Sequence, residues 1–368
     1  MLPGSSPGRI FPKAIGYSEA RKTRIFAVND IVIRAGVISP DRIILHNYPT
    51  GHPISAFNAG AIYDEKEEAL KTYVRIILGY YMYVSSIIEI EVPLQDIFSG
   101  YINTNRYPGD IVIYPSTKYD IWGTEDPRVY VIDDKLFMTY TGRTINYFSP
   151  TRRNRTLPVT AVYDQNLKTW IKRYVFTLSP KIFDEVVSNK DAFLYKTEDE
   201  RLYLFHRPHL ADETFHLVLS NVDKELLDKV TSDISEVYVD NAVEVLSPAK
   251  FESKLGWATP PITLTDDRII VFVHGVDKDS VVYRVFAIQL LLRKDEIIIE
   301  AITPRYIMEP RTPYEIVGDR PLTVFPCGAV KLDRNKIILT YGAGDFMVGI
   351  GIINLDELLA ELDKGRIY

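Results

Sequence analysis

The sequence predicts an all-β chain, a five-bladed β-propeller carrying a short C-terminal helix. Three observations lead there. A unit of strand, charged turn and strand occurs five times, with turns DEKEE at Asp64, DDK at Asp133, EDER at Glu198, DDR at Asp266 and DRNK at Asp333. The turns start 65 to 69 residues apart, the signature of a repeat, and a hairpin unit of that length suits a four-stranded blade with long loops. An apolar strand follows each turn, and helical periodicity is scarce.

In chain order, residues 1–18 are rich in Pro, Gly and Ser and are expected to be an extended arm of one domain spanning residues 1–368. Strand-like segments follow at residues 24–28 and 31–34. A Pro/Gly-rich loop then leads into residues 57–62, a charged turn and an apolar strand over 72–78. The rest of the chain is organised around GTEDPRVYVIDDKLFMTYTG, residues 123–142. Residues 129–131 and 136–140 read as strands flanking the turn Asp133-Asp134-Lys135. Pro127 fixes its own φ and disfavours helical geometry at Asp126, which holds Glu125, Asp126 and Arg128 at a strand entrance. The one clear helix is predicted over 354–365. Asn354 is its N-cap, Leu355, Leu358, Leu359 and Leu362 share one face, and Gly365 stands near the stop.

A net charge of −6 points away from nucleic acid. The single cysteine, Cys327, excludes an internal disulfide and a cysteine-cluster metal site, and it fits a reducing compartment. The opening MLPGSSPGRIFPK lacks the apolar core of a signal peptide, and no apolar run reaches membrane-spanning length. A cytoplasmic location is therefore expected.

In a propeller, loops from every blade converge on the axis, so site residues are sought about one blade apart. Asn58 and Arg75 come first, then Glu125, Asp126 and Arg128, then Lys190 and Asp191. His206 and Arg207, Lys254, His274, Tyr283 and Asp345 follow. Each has a plainer reading. A histidine ending an apolar strand is more often a hydrogen-bonded structural residue, Lys190-Asp191 alone is a solvated pair, and Asp345 is a turn former. Basic groups gathered at one hub would repel each other unless an anionic ligand joined them. Histidines and carboxylates lack metal-ligand spacing, so no metal is expected.

The segments FNAGAIYD, GTEDPRVYVIDDKLFMTYTG, the HRP of LFHRPH, KLGWATPPI, VHGVD, VYRVFA and VFPCGAVKLDRNKIILTYGAGD carry a resemblance. Through them the chain from Asp30 onward resembles glycoside hydrolase family 130, the β-mannoside phosphorylases and related mannosidases, which are five-bladed propellers. The resemblance implies that Asp126 is the general acid, acting through the mannose 3-hydroxyl. It implies that Arg207, Lys254, His274 and Lys190 bind phosphate. Asn58, Arg75, Tyr283 and Asp345 would line the sugar subsite, with Glu125 counted among them. FNAG, GWATPPI and Arg143 in TYTGRT depart from the commoner family forms and bear on the acceptor subsite.

The chemistry separates phosphorolysis from hydrolysis. An inverting hydrolase needs a second carboxylate to deprotonate water, whereas phosphate is already an anionic nucleophile. No glutamate stands beside the basic motifs; the nearest, Glu252, is expected on the opposite strand face from Lys254. The expected activity is inverting phosphorolysis of a β-mannoside to α-mannose 1-phosphate, with inorganic phosphate as co-substrate and no cofactor. A β-mannosidase and a non-catalytic carbohydrate-binding propeller stay open as alternatives. Expected partners are a mannose-containing oligosaccharide and phosphate, with no nucleic acid and no membrane; a homo-oligomer is compatible with all of this.

Overall fold

The computed structural model describes residues 11–180, 186–228, 233–265, 267–294 and 296–368. Five sheets form the blades of a propeller. In the first, Ser55–Asp64 is innermost, followed outward by Ala69–Ile77, Ser85–Pro93, Tyr107–Ile113 and Ile43–Leu45. Blade 2 runs outward from Thr124–Ile132 through Lys135–Arg143, Thr156–Asp164 and Thr169–Leu178 to Ser235–Val239. Blade 3 comprises Val186–Lys196, Leu202–Leu210, Leu217–Val222 and Ala242–Leu246. The inner edge of blade 4 is split between Glu252–Trp257 and Ile262–Thr265, both paired with Arg268–Asp277, beyond which lie Tyr283–Arg293 and Glu296–Ile302. Val324–Lys331, Lys336–Ala343 and Met347–Asn354 make blade 5.

Its outermost strand comes from the other end of the chain. Ile33–Ile38 pairs antiparallel with Met347–Asn354, so residues far apart in sequence close the ring. A closed ring hides the long inner edges that an open sheet would expose. Adjacent blades share the apolar core: one cluster joins Val74 and Ile88 to Ile338 and Ile350, and another joins Tyr73 to Met138 and Val159.

The repeated charged turns all fall between the inner strand and its neighbour. Asp133 and Asp134 both have positive φ, 50° and 59°, as a two-residue hairpin of this twist requires. Asp64 and Asp333 each accept backbone N–H bonds from the next turn residues, which explains why aspartate recurs there. Asp266 lies outside the described residues.

Three local expectations differ from the structure. Residues 1–10 lie outside the described residues, and the arm ends earlier than expected, because Tyr17–Thr23 is helical. The segment 24–28 makes one isolated bridge, Val28 to Tyr306, instead of a strand. Arg24 there is buried against Glu252 and stacks over Phe286, so tertiary contacts set its course. The following strand begins at Ile33, not Ile31. A short helix at Leu94–Ser99 gave no clear periodic signal. The C-terminal helix forms over Leu355–Asp363, with the Asn354 side chain accepting from Glu357 N and Leu355, Leu358 and Leu362 buried. Among the described residues, no helix is long and apolar enough to cross a membrane.

Candidate active site

The inner strands of blades 1, 2 and 3 share a local irregularity. Each register slips where one residue turns to positive φ: Asn58 at 49°, Asp126 at 53° and Asp191 at 54°. Such bulges re-aim side chains, and non-glycine residues held there cost about 1–3 kcal/mol that the surroundings must sustain. These three positions are spaced like the charged turns, so the repeat that builds the blades also builds the site.

A cavity of about 480 Å³ opens at this end of the axis. Asn58, Arg75, Glu125, Asp126, Lys190, Arg207, Lys254, His274, Tyr283 and Asp345 all line it. All five blades contribute. Two other candidates turn out to be structural. His206 is fully buried between Asn189 Oδ1 and Ser220 Oγ, at 3.1 and 2.8 Å. Arg128 donates to the carbonyls of Asp126, Trp257 and Ala258, stapling the blade 2 bulge to blade 4. Glu252 points away, paired with Arg24 and Tyr306.

On the side formed by blades 1 and 2, carboxylates and arginines alternate. Asp126 is 2% exposed, and its Oδ1 accepts from Asn58 Nδ2 at 2.7 Å and Arg75 Nη1 at 2.8 Å. Burial opposes its ionisation, but the charges of Arg75 and Lys190 outweigh burial and hold it below the usual carboxylate range. Glu125 accepts from Arg143 Nε at 2.8 Å and from the Tyr147 hydroxyl at 2.8 Å, with Arg75 Nη2 at 3.2 Å. Burial raises its pKa, yet Arg143 and Arg75 pull it far lower. Asn58 fits only because its neighbour in blade 5 is glycine: a Cβ on Gly342 would lie 1.8 Å from Asn58 Oδ1.

Blades 3 and 4 supply the cations. Asp191 sits beneath them, fully buried, accepting from Arg207 Nε at 2.7 Å and lying 3.5 Å from His274 Nε2. Gly256 permits this approach, since a Cβ there would fall 2.3 Å from both Asp191 Oδ2 and His274 Nε2. Burial depresses the Lys190 pKa, and burial together with the repulsion of Arg207 and Arg320 brings Lys254 down to about 8. Burial also takes His274 down to about 3, so at neutral pH its imidazole is an uncharged hydrogen-bond donor. Lys190 and Lys254 make no ion pair within 4 Å among the described residues. Asp345 stands on the blade 5 loop with Arg320 at 3.5 Å, its pKa raised by burial.

Sequence reasoning missed several lining residues. Tyr80, Met82 and Tyr83 come from the loop between the second and third strands of blade 1. Tyr147 and Phe148 come from the matching loop of blade 2, and Asp319 and Arg320 from the segment before blade 5. None sits at a repeat-equivalent strand end. The clustered aromatics of GYYMYV and INYF were the available signal. Among the described residues, no His, Cys, Asp and Glu cluster is placed to hold a metal ion.

Fold and site together define a five-bladed propeller whose axial cavity sets a buried carboxylate pair against a cationic wall, an arrangement fitted to a polar ring and an anion. The chain belongs to the glycoside hydrolase 130 family, whose sequence profile, described as beta-1,4-mannooligosaccharide phosphorylase, matches residues 22–364. A beta-1,2-mannobiose phosphorylase of Thermoanaerobacter sp. (strain X514) is 30% identical over 258 residues, 70% of this chain and 75% of that protein. A 1,2-beta-oligomannan phosphorylase of the same organism is 28% identical over 67% of this chain and 73% of its own. Among solved structures, the beta-1,2-mannobiose phosphorylase of Listeria innocua, in complex with beta-1,2-mannobiose, superposes with a TM-score of 0.65 at 16% identity. The match covers 91% of this chain and 97% of that one, and at this identity it speaks for the fold.

Proposed function

We propose that this chain is an inverting phosphorylase of β-mannosides that releases α-mannose 1-phosphate. One observation carries the reading. The blade 3 and 4 side of the cavity holds Lys190, Arg207, Lys254 and His274, and among the described residues no carboxylate on that side is free to deprotonate water. Asp191 is ionised, buried and bound to Arg207, and Glu125 is held by Arg143 and Tyr147 with its basicity strongly reduced. Phosphate needs no base, and it supplies the negative charge that the cationic wall lacks. Membership of the family and the phosphorylase relatives support the same reading.

In this mechanism a phosphate oxygen attacks the anomeric carbon while the bond to the leaving sugar oxygen breaks on the opposite face. Asp126 gives that oxygen its proton, directly or through the sugar 3-hydroxyl, and ends as a carboxylate. Its low pKa in the free protein is part of the device. Lys190, with Arg75 and Arg128, is one of the cations holding Asp126 ionised. Once phosphate takes up the charge of Lys190, the carboxyl's proton affinity rises, so the nucleophile's arrival arms the acid. Asn58, Arg75, Tyr283 and Asp345 orient the mannose ring.

A second reading has one observation in its favour. Asp345 is the cavity carboxyl whose pKa is raised, by burial above all, and so the one that keeps its proton to the highest pH. Under that reading Asp345→Asn, rather than Asp126→Asn, removes the acid. The test of the main proposal is turnover with and without phosphate, followed by synthesis from α-mannose 1-phosphate and a panel of acceptors. Mannoside consumption in phosphate-free buffer overturns it.

A further inference from the structure

We propose that the leaving sugar chain lies on an aromatic rim formed by Tyr80, Tyr83, Tyr147 and Phe148, and that this rim selects an uncharged oligosaccharide longer than one sugar unit. The inference rests on the mannoside reading above and adds the chemistry of the part of the substrate that departs.

In an inverting displacement the nucleophile and the leaving group stand on opposite sides of the reacting carbon. The cationic wall belongs to blades 3 and 4, and Asp126 with its partners to blades 1 and 2. The leaving chain must therefore exit over blades 1 and 2. Both loops that overhang the cavity there line it with aromatic side chains, Met82 apart.

These rings are not core residues. Phe148 is 80% exposed, Tyr80 56% and Tyr147 41%. Exposed aromatics gathered at a cavity mouth mark a ligand surface, because burying them in the fold would have been the cheaper arrangement. Three of them form a continuous run, Tyr80 packing on Tyr83 at 5.9 Å between centroids and Tyr83 on Tyr147 at 6.3 Å, with Phe148 next in the chain. Arg143, itself fixed on Glu125, backs Tyr147 with its guanidinium carbon 3.7 Å from the ring centroid.

The rim is also held open. Met82 and Tyr83 take positive φ, 59° and 54°, without being glycine. The Tyr83 hydroxyl donates to Asp319 at 2.7 Å, tying the blade 1 loop to the segment before blade 5. Strain of this kind persists only where contacts sustain it. Its effect here is to stand the rings up beside the cavity. Nearby, Arg320 is paired with Asp345 and donates to the Tyr283 hydroxyl, and Asp319 accepts from Tyr83. Four uncharged rings suit a neutral sugar chain, whose C–H faces stack on aromatic rings.

The test is synthesis from α-mannose 1-phosphate with mannose, mannobiose and mannotriose as acceptors. The wild-type chain should use the di- and trisaccharide better than mannose in kcat/KM. Phe148→Ala and Tyr80→Ala should each raise the KM for the longer acceptors roughly fivefold to tenfold, the scale of one lost stacking contact, and level the preference. The KM for α-mannose 1-phosphate should stay within about twofold on the same scale. Tyr101→Ala, an exposed tyrosine away from the cavity, should change neither value. Equal use of mannose and mannotriose by the wild type, or unchanged acceptor KM in both rim variants, overturns the proposal. If no mannoside turns over with phosphate, the functional reading fails separately, and calorimetric titration with mannotriose then decides the rim. Weaker binding by Phe148→Ala upholds it, and equal binding overturns it.

Discussion

The two walls of the cavity solve opposite electrostatic problems. On blades 1 and 2, each carboxylate has its cation: Asp126 has Arg75 at 2.8 Å, and Glu125 has Arg143 at 2.8 Å and Arg75 at 3.2 Å. On blades 3 and 4, Lys190, Arg207 and Lys254 face one buried carboxylate, Asp191, which Arg207 bonds at 2.7 Å and Arg128 approaches at 3.6 Å, with the uncharged His274 at 3.5 Å. The first wall is complete without a ligand. The second carries excess positive charge in a partly desolvated place, which costs free energy until an anion arrives. A balanced wall beside an unbalanced one is the reason the anion is proposed to bind on blades 3 and 4.

The sharpest way to break this comparison is to remove the acid. Asp126→Asn keeps an acceptor for Arg75 but no proton to give, so kcat should fall about 10²–10⁴-fold, the usual worth of a general acid. The circular dichroism spectrum should be unchanged, and near-normal kcat would take the role from Asp126. On the other wall, Lys254→Met should raise the KM for phosphate about tenfold to a hundredfold, the scale of a lost charged hydrogen bond. The KM for the mannoside should hold; equal losses in both would erase the division of labour.

The pH dependence sharpens the same point. Lys254 has a pKa of about 8 in the free protein, and bound phosphate would raise it. Its contribution to phosphate affinity is therefore complete below pH 8 and fades above it, with KM rising up to about tenfold per pH unit. That slope should vanish in Lys254→Met. Gly256→Ala should act more gently, raising phosphate KM several-fold, because its Cβ drives Asp191 and His274 apart. The smallest catalytic effect belongs to His206→Ala. It should cost about 1–3 kcal/mol of stability, by leaving buried partners unsatisfied, with both KM values unchanged.

The pair of histidines shows how far sequence reading reaches. His206 and His274 both lie in apolar strands, and local pattern treats them alike. Their surroundings differ because Asn189 and Ser220 close on one, while Gly256 admits Asp191 to the other. The site was legible wherever function follows the blade repeat, as at Asn58, Asp126 and Asp191. It was illegible at Tyr83, Phe148 and Arg320, which stand in loops away from the strand ends, where no hairpin or strand pattern marks a lining position.

From sequence alone came the five-fold repeat, the hairpin turns, the capped C-terminal helix and a set of residues that could share an axis. These depend on interactions within a few residues or on a period, both of which a linear string records. Tertiary structure alone decided which candidates face the cavity and which carboxylates are already neutralised. It also decided where Arg24 and the closing strand Ile33–Ile38 run, and which aromatics stand at the mouth. Those outcomes rest on contacts between residues a blade or more apart, where packing and desolvation, not local preference, set the balance.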